Sequence, residues 1–287
     1  MAVIWELDFY SRPVLNQNKK KIWELLICDR TRQMEWVQEC PSDRVNSAWL
    51  AEQLQTVIQK TGQTPQKVRF FRPSMANIIT RGCNQAGLNP LASRRVFTLA
   101  AWLQERMAQV YPQQEGFQAA DPNPLPLAVP MQQISTRPIP DALIGEGWAI
   151  VSLRADQFAS AGDWSIDFEE LFDLSYLSDD TLIPGLIIYS HRATPLAAWM
   201  AGVDPVFLKF VTNQNDGSSQ MLLEANADAR WLVANFQSAK APKNAKAIAD
   251  GQAFETAKQK AAQVHFLAIQ DNPDSEDFAG FWLLKEV

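Results

Sequence analysis

The sequence predicts an α/β protein with mixed sheets and two domains, and three observations support this. Strand-like and helix-like runs alternate along the chain, and 47% of its 287 residues are hydrophobic, enough for a core in each half. Six prolines fall within residues 111–139, a pattern typical of an extended linker. We therefore predict a basic N-terminal domain over 1–115, a linker over 116–140 and an acidic C-terminal domain over 141–287.

The N-terminal half begins with three strand-like runs. AVIWELDFYS and KIWELLICDR flank the polar turn NQNKK and predict a β-hairpin, and MEWVQE follows as a third strand. A helix is expected from a cap at Ser47 to a stop at Gly62. The remaining predicted elements are a strand at 67–72, a helix at 75–85, a strand at 95–99 and a helix at 102–109. This β-β-β-α-β-α-β-α order is that of the ribonuclease-H-like fold.

The C-terminal half also alternates between strand-like and helix-like runs. Its Asp-Gly dipeptide at 216–217 is a strong hairpin signal between strands at 207–213 and 220–225. The other predicted elements are strands at 147–153, 184–189, 230–234, 264–269 and 278–287, an acidic helix at 167–174, and helices around 195–200 and 245–262. From residue 207 the order β-β-β-α-β recurs, and we interpret this half as an arrangement related to the first.

The sequence gives little support for a metal site, a disulfide framework or a nucleotide cofactor. Cys28, Cys40 and Cys83 are irregularly spaced, and the only histidines are His191 and His265. A structural zinc site requires four Cys or His ligands in close pairs, so we expect no such site and reduced, buried thiols. Neither a P-loop nor a GxGxxG motif occurs, so no nucleotide cofactor is expected.

The sequence favours a cytoplasmic protein. No stretch of about 18 apolar residues occurs, so we expect no membrane span. The N-terminus MAVIWELDFY enters a strand-like pattern and has neither the basic and apolar regions of a signal peptide nor the composition of a transit peptide. Cytoplasmic localisation is the resulting expectation.

Charge is distributed unevenly between the halves. Residues 1–115 carry 15 Lys/Arg and 10 Asp/Glu, a net +5, whereas residues 116–287 carry 11 and 22, a net −11. A basic half joined to an acidic half favours a polyanionic partner for the basic half. The acidic half would repel RNA, and we expect it to meet a protein partner instead.

A metal-dependent nuclease is the enzyme alternative that the predicted fold suggests. Two Mg²⁺ ions need carboxylates that converge from several elements. The candidates are Asp8 or Glu6 on the first strand and Glu52 on the first helix. The fourth strand carries Arg69 and Arg72 where a further ligand would be needed, and guanidinium groups repel divalent metal. We therefore expect a non-catalytic protein without a metal site.

Two aspartates of the first hairpin then need another role. Asp8 and Asp29 are interpreted as structural carboxylates near turns, pairing with Arg12 and Arg30. The interpretation predicts ion pairs in place of a metal site.

Cationic and aromatic residues of the N-terminal half predict an RNA-binding surface. Cationic groups neutralise phosphate, and aromatic rings stack on unpaired bases. A lysine-rich hairpin turn can also be no more than a solvated tip, and that alternative remains open here. The predicted contact residues are Arg12, Lys19, Lys20, Lys21, Arg69, Phe71, Arg72, Arg81, Arg94 and Arg95.

A second candidate site follows the strand GLIIY. Ser190, His191 and Arg192 lie at that strand's end, just before a predicted helix, where an anion or a partner could bind. A Ser–His nucleophile is not favoured, because adjacent residues on a strand point to opposite faces and no GxSxG motif is present.

Several long motifs resemble one family. They are WELDFYSRPVL, KKIWELLICD, VRFFRPSMANIITRGC, SRRVFTLAAWLQER, IPGLIIYSHRATPLAAWM and the closing HFLAIQ and FAGFWLL. Together they resemble the Tab/Atab family of chloroplast and cyanobacterial proteins over nearly the whole chain, with the proline-rich stretch as the divergent part.

The resemblance implies an RNA-binding protein that supports translation of a photosystem reaction-centre message, in a cyanobacterial cytoplasmic member. It also implies a role in photosystem biogenesis more broadly. The competing class is a protein–protein assembly factor for photosystem subunits that makes no RNA contact.

Overall fold

The computed structural model describes residues 3–119, 134–212, 218–236 and 242–286. The chain divides into two compact units, unit 1 over Met1–Val129 and unit 2 over Pro130–Val287. Helices and three mixed sheets occupy the described residues, so the predicted α/β class is confirmed. Most of the predicted linker, residues 120–133, lies outside the described residues.

Unit 1 opens with an antiparallel meander of β1 (Ile4–Leu15), β2 (Lys21–Asp29) and β3 (Glu35–Cys40). The first turn is held by Asn16, whose Oδ1 accepts the N–H groups of Asn18 at 2.9 Å and Lys20 at 3.0 Å. An Asn side chain that caps the following residues is a common way to close such a turn.

The first helix, α1 (Ser47–Thr61), has strong signals at both ends. Its N-cap is Asn46, and not Ser47 as predicted, because the Asn46 Oδ1 accepts the Trp49 N–H at 2.9 Å. Gly62 ends the helix with a φ of 67°, a left-handed conformation that glycine adopts without strain.

The remaining elements of unit 1 complete one sheet. They are β4 (Lys67–Phe70), α2 (Ala76–Gln85), β5 (Pro90–Ala92) and α3 (Phe97–Glu105), which continues as one π-helical turn, Arg106–Val110. The sheet order is β3-β2-β1-β4-β5, and β4 and β5 run parallel to β1. Only β2 runs opposite to the other four strands.

The strand predicted at residues 95–99 is wrong, because these residues lead into α3. The buried Val96, Leu99 and Leu103 follow helical spacing and pack in one hydrophobic core. Tertiary packing therefore overrides the strand preference of Val, Phe and Thr. Arg94 and Arg95 consequently lie in the connection between β5 and α3.

The two faces of the sheet in unit 1 differ. Trp5, Leu7 and Phe9 alternate along β1 into a core with α1 and α2. Glu6 and Asp8 point to the other face, where their register partners on β2, Cys28 and Leu26, pack near α3. The carboxylates of β1 are thus directed into a second packed layer.

Unit 2 contains two sheets. One has the order β10-β11-β12-β6, and the other β7-β9-β13-β14-β8. Their elements are β6 (Thr136–Pro138), β7 (Gly147–Arg154), β8 (Ile166–Glu170), β9 (Leu182–Tyr189), α4 (Ala193–Val203), β10 (Pro205–Thr212), β11 (Ser219–Ala225), β12 (Ala229–Phe236), α5 (Pro242–Lys260), β13 (Val264–Gln270) and β14 (Phe278–Lys285).

Two expectations for this half need correction. The predicted acidic helix at 167–174 is wrong, because β8 pairs there with β14 and its Ile166–Asp167–Phe168 alternation is a strand period. The order β-β-β-α-β is present from β10 onward, but β13 belongs to the other sheet, so the two units differ in topology. Residues 136–138, near the end of the predicted linker, form the edge strand β6 beside β12.

Within the described ranges, no helix is both long and apolar enough to cross a membrane.

Candidate nucleic-acid interface

Three exposed predicted cations lie together at the first hairpin, with Lys19 and Lys20 between β1 and β2 and Lys21 as the first residue of β2. We call these three residues the lysine turn. Lys19 has a φ of 57°, and the Asn16 side chain holds this conformation from within the turn. Three ammonium groups at a fixed, solvated turn can contact phosphate oxygens.

A groove of about 500 Å³ borders the lysine turn, with Asn16, Gln17, Lys19, Ile22 and Gln114 among its lining residues. One wall is set by Gly116, which has a φ of 86° and lies so close to Leu15 that an added Cβ would be 2.2 Å from its carbonyl oxygen. The amide side chains offer hydrogen-bond donors and acceptors to a base or sugar. Glu39 and Glu115 also line the groove and oppose an anionic ligand.

The other predicted arginines lie in the interior of unit 1. Arg12 is only 2% exposed and donates from Nη1 to Asp8 at 2.7 Å and from Nε to Glu24 at 2.9 Å. Arg72 donates from Nε to Asp8 at 2.6 Å and lies 4.1 Å from the centroid of the Tyr10 ring. Burial raises the pKa of Asp8, but the charges of Arg12 and Arg72 outweigh it and hold that pKa below its usual value.

Glu24 forms the second centre of this buried network. Besides Arg12, it accepts hydrogen bonds from Arg106 Nη2 at 2.6 Å and from the Tyr111 hydroxyl. Burial raises the pKa of Tyr111 to about 12, so the phenol stays protonated and donates. We name the set of Asp8, Arg12, Glu24, Arg72, Arg106 and Tyr111 the buried ionic network.

Four further predicted contact residues are also buried. Arg69, Arg94, Arg95 and Phe71 are between 1% and 5% exposed. Exposing these groups to reach phosphate or a base would open packed structure. The predicted contacts of the five buried arginines and Phe71 with RNA therefore conflict with the fold, whereas Arg81 is exposed on α2.

Glu6 lies beside Arg69 in the strand register, and its Oε2 accepts the Leu99 N–H at 2.8 Å. Burial raises the pKa of Glu6 to about 7, although the Leu99 hydrogen bond and the Arg69 charge act in the opposite direction. The carboxyl group thus anchors the first turn of α3 to β1.

The basic excess of residues 3–115 lies in the interior. Among these described residues, six exposed Lys/Arg are matched by six exposed Asp/Glu, and the excess positive charge belongs to buried and half-buried side chains. The net charge of +5 over residues 1–115 therefore does not indicate a polyanion-binding surface.

The nuclease alternative is not supported. Both Asp8 oxygens already accept hydrogen bonds from guanidinium groups, and Glu52 is exposed and paired with Arg44 at 3.2 Å. No group of three His, Cys, Asp or Glu positioned for a metal occurs in the part of the chain that the structure describes.

The predicted roles of Asp8 and Asp29 are settled by their contacts. The predicted Asp8–Arg12 pair is confirmed. Asp29 closes the β2–β3 turn, because its Oδ1 accepts the N–H groups of Thr31 at 3.1 Å and Gln33 at 3.0 Å. Cys28, Cys40 and Cys83 are free and buried, as predicted.

The Ser190–His191–Arg192 segment holds an internal anion. The Glu146 carboxylate contacts the His191 ring and accepts the His191 N–H at 3.1 Å, while Arg192 donates to the Ala142 carbonyl at 3.2 Å. Ser190 is 1% exposed and the His191 side chain 75% exposed, so the two point apart. An external anion would have to displace Glu146.

Sequence reasoning missed Glu24 and Tyr111. Glu24 shares a strand face with Leu26 and Cys28, both fully buried. That alternation indicates a carboxylate directed into the core, where a cationic partner is required. Tyr111 carried no comparable signal.

Comparison with known proteins covers both units. Residues 4–106 match the family model "RNA-binding protein Tab2/Atab2 N terminal", and residues 125–285 match "RNA-binding protein Tab2/Atab2, C-terminal domain". A relative from Zea mays, "Protein TAB2 homolog, chloroplastic", is 36% identical over 294 residues, which span 99% of this chain and 71% of the relative. A protein of the same name from Arabidopsis thaliana is also 36% identical, over 99% of this chain and 74% of its own length.

Proposed function

We propose that this protein binds RNA, because the chain belongs to the Tab2/Atab2 family of RNA-binding proteins. The family match over both units is the observation that carries the proposal. Binding is non-catalytic in this proposal, since the carboxylates suggested for a nuclease are engaged elsewhere.

The lysine turn and its neighbouring groove are the proposed contact site. Lys19, Lys20 and Lys21 are exposed and supply charge for phosphates, and the Asn16, Gln17 and Gln114 amides lie beside them. Arg81 is a further proposed phosphate contact on α2. The buried arginines act indirectly in this proposal, by holding together the fold that carries the turn.

The proposed target is a photosystem reaction-centre message whose translation the protein supports. The sequence resemblance to the family and the chloroplastic relatives from two plants support this narrower function. The proposed setting is the cytoplasm of a cyanobacterium.

Unit 1 is proposed to have a ribonuclease-H-like fold. In support, a three-strand antiparallel meander is followed by strands reached through helices, and only β2 runs opposite to the other strands. We propose that the boundary between the two domains lies within the predicted linker 116–140. The division of contacts after Val129 and the separate family matches support that boundary.

Fluorescence anisotropy of labelled RNA at two salt concentrations tests the RNA-binding proposal. The test variant is Lys19→Gln, Lys20→Gln, Lys21→Gln, and the control is Arg44→Gln, Lys60→Gln, Lys246→Gln, which removes the same charge from exposed positions elsewhere. Each phosphate contact with a single strand contributes about 0.7 to the slope of log K against log salt, so we expect the test variant to lose about 2.

The control triple should keep the wild-type slope. Equal slopes for the two triples would reject the lysine turn as the contact site. Absence of binding at low salt would reject RNA binding and favour the protein–protein assembly factor. Preference for a photosystem message leader over an unrelated RNA tests the narrower function.

A further inference from the structure

A cavity of about 470 Å³ lies in unit 2, beside the 3₁₀ turns of Ala155–Asp163 and the connection between β8 and β9. We call it the acidic cavity. Its volume is within the range of ligand-binding pockets. The apolar part of its lining consists of Phe158, Leu171, Phe172, Leu174, Leu177 and Leu283.

The polar part of the lining carries one sign of charge. Asp156, Asp173 and Asp179 are exposed and line the cavity. Residues 155–191 contain eight Asp/Glu and no Lys or Arg. Apolar walls are thus combined with a carboxylate rim in a strongly acidic part of the surface.

Exposed apolar side chains border the acidic cavity. Tyr176 is 51% exposed and lies between two lining residues, Ser175 and Leu177. Leu182 is 58% exposed and is the register partner of Arg154, next to the lining residue Ala155. Large apolar side chains at a charged rim are typical of surfaces that meet another protein.

Two cationic side chains of the chain itself already contact carboxylate and aromatic groups of this surface. Arg154 Nη2 lies 2.7 Å from Asp156, and the Lys285 ammonium lies 4.7 Å from the centroid of the Tyr176 ring. The same carboxylate and aromatic groups can contact arginine or lysine from outside.

We propose that the acidic cavity binds a basic, partly apolar segment of a partner protein. Arginine or lysine side chains of the partner pair with Asp173 and Asp179 and compete with Arg154 for Asp156, while leucine-like side chains and the methylene stems of the cations enter between the apolar walls. Charge complementarity selects such a segment, and the acidic rim repels nucleic acid. This interaction goes beyond RNA binding and does not depend on it.

A labelled peptide of alternating arginine and leucine, added to the full chain, tests the proposal by fluorescence anisotropy. The rim variant is Asp156→Asn, Asp173→Asn, Asp179→Asn. Its matched control is Asp271→Asn, Asp274→Asn, Glu276→Gln, which removes the same charge from exposed positions of unit 2 outside the cavity. We expect the rim variant to bind about tenfold more weakly and the control less than about twofold more weakly.

A second variant, Ala159→Phe, narrows the cavity from an exposed lining position without changing its charge. It should weaken binding of the arginine–leucine peptide, and serine in place of leucine in the peptide should do the same to wild type. If circular dichroism shows that the rim variant is unfolded, Ala159→Phe decides the question.

Several results would overturn the proposal. These are no peptide binding by wild type at low salt, equal losses in the rim and control triples, or unchanged binding by Ala159→Phe. Competition by arginine amide as strong as that of the peptide would assign the cavity to a small cation instead. Labelled RNA measured in parallel separates this outcome from failure of RNA binding.

Discussion

The two units place their charges differently. Unit 1 directs arginines and carboxylates into its interior, where Asp8 contacts Arg12 and Arg72, and Glu24 contacts Arg12 and Arg106. Unit 2 also buries an ion pair, Glu224–Arg230, but it exposes Asp156, Asp173 and Asp179 around the acidic cavity. The formal charge of a domain therefore does not measure the charge of its surface.

The interior of unit 1 tolerates these charges because each is neutralised and hydrogen-bonded. Buried ions lose much of their hydration, and only close, well-directed partners compensate for that loss. Removing one partner should therefore affect unit 1 far more than neutralising a solvated acid on unit 2. Three changes in stability test this difference, from the largest expected effect to the smallest.

The first is Asp8→Asn, which leaves the buried Arg12 and Arg72 without their shared carboxylate. Loss of one partner from a buried ion pair costs about 3–5 kcal/mol, so we expect a drop of this size in the free energy of unfolding. Urea denaturation followed by circular dichroism measures the drop, and hydrogen exchange of the β1 and β2 amides assigns it to unit 1.

The control for that variant is Glu52→Gln. Its side chain is 62% exposed, so the expected change in the free energy of unfolding is within about 0.5 kcal/mol. If Asp8→Asn were as mild as Glu52→Gln, the buried ionic network would not be needed to stabilise unit 1.

The second prediction concerns the pH dependence of unit 1. Burial raises the pKa of Glu6 from 4.5 to about 7, so the folded state keeps a proton that the unfolded state loses. Its stabilising contribution is complete below pH 4.5 and is lost as pH rises to about 7, by up to about 3 kcal/mol at 1.36 kcal/mol per pKa unit.

Asp8 acts in the opposite direction. Its pKa is lowered, so its contribution is present above its usual value of 3.8 and is lost as pH falls further. Unfolding free energies measured against pH should therefore decline between pH 4.5 and 7 in wild type but not in Glu6→Gln. A decline that persists in Glu6→Gln would assign it to another group.

The third and smallest effect is on the stability of unit 2. Neutralising Asp156, Asp173 and Asp179 removes exposed charges, which contribute little to folding because water solvates them well. We expect the urea midpoint of the rim variant to stay with that of its Asp271, Asp274, Glu276 control. A large fall for the rim variant alone would mean that these acids stabilise the fold and that unit 2 resembles unit 1.

Local sequence patterns predicted much of the fold. The polar turn at Asn16–Lys20, the stop of α1 at Gly62 and the apolar strands β9 and β13 follow from turn chemistry and hydrophobic period. The wrong predictions of helices and strands fall on short segments whose sequence fits both kinds of element. Residues 95–99 have the composition of a strand but lead into the helix α3. Ile166–Glu170 lies in an acidic run that resembles a helix, and only its pairing with β14 shows that it is a strand.

The candidate contact residues also divide into those whose exposure local sequence predicts and those whose burial it does not. Sequence alone indicated that the lysine turn is exposed, because three adjacent lysines at a hairpin turn have no core to enter. It could not separate those cations from Arg12, Arg69, Arg72, Arg94 and Arg95. Burial of an arginine depends on a partner that is distant in the chain, as Asp8 is from Arg72.

The sequence by itself determined the α/β class, the family and most of the helices and strands, because these depend on local period, turn residues and long motifs. Only the tertiary structure decided where the charges lie. Register places Glu6 and Asp8 on the inner face of β1, and packing against α3 encloses the arginines around them. Pairing between distant residues is a property of the folded chain, so net charge could not predict it.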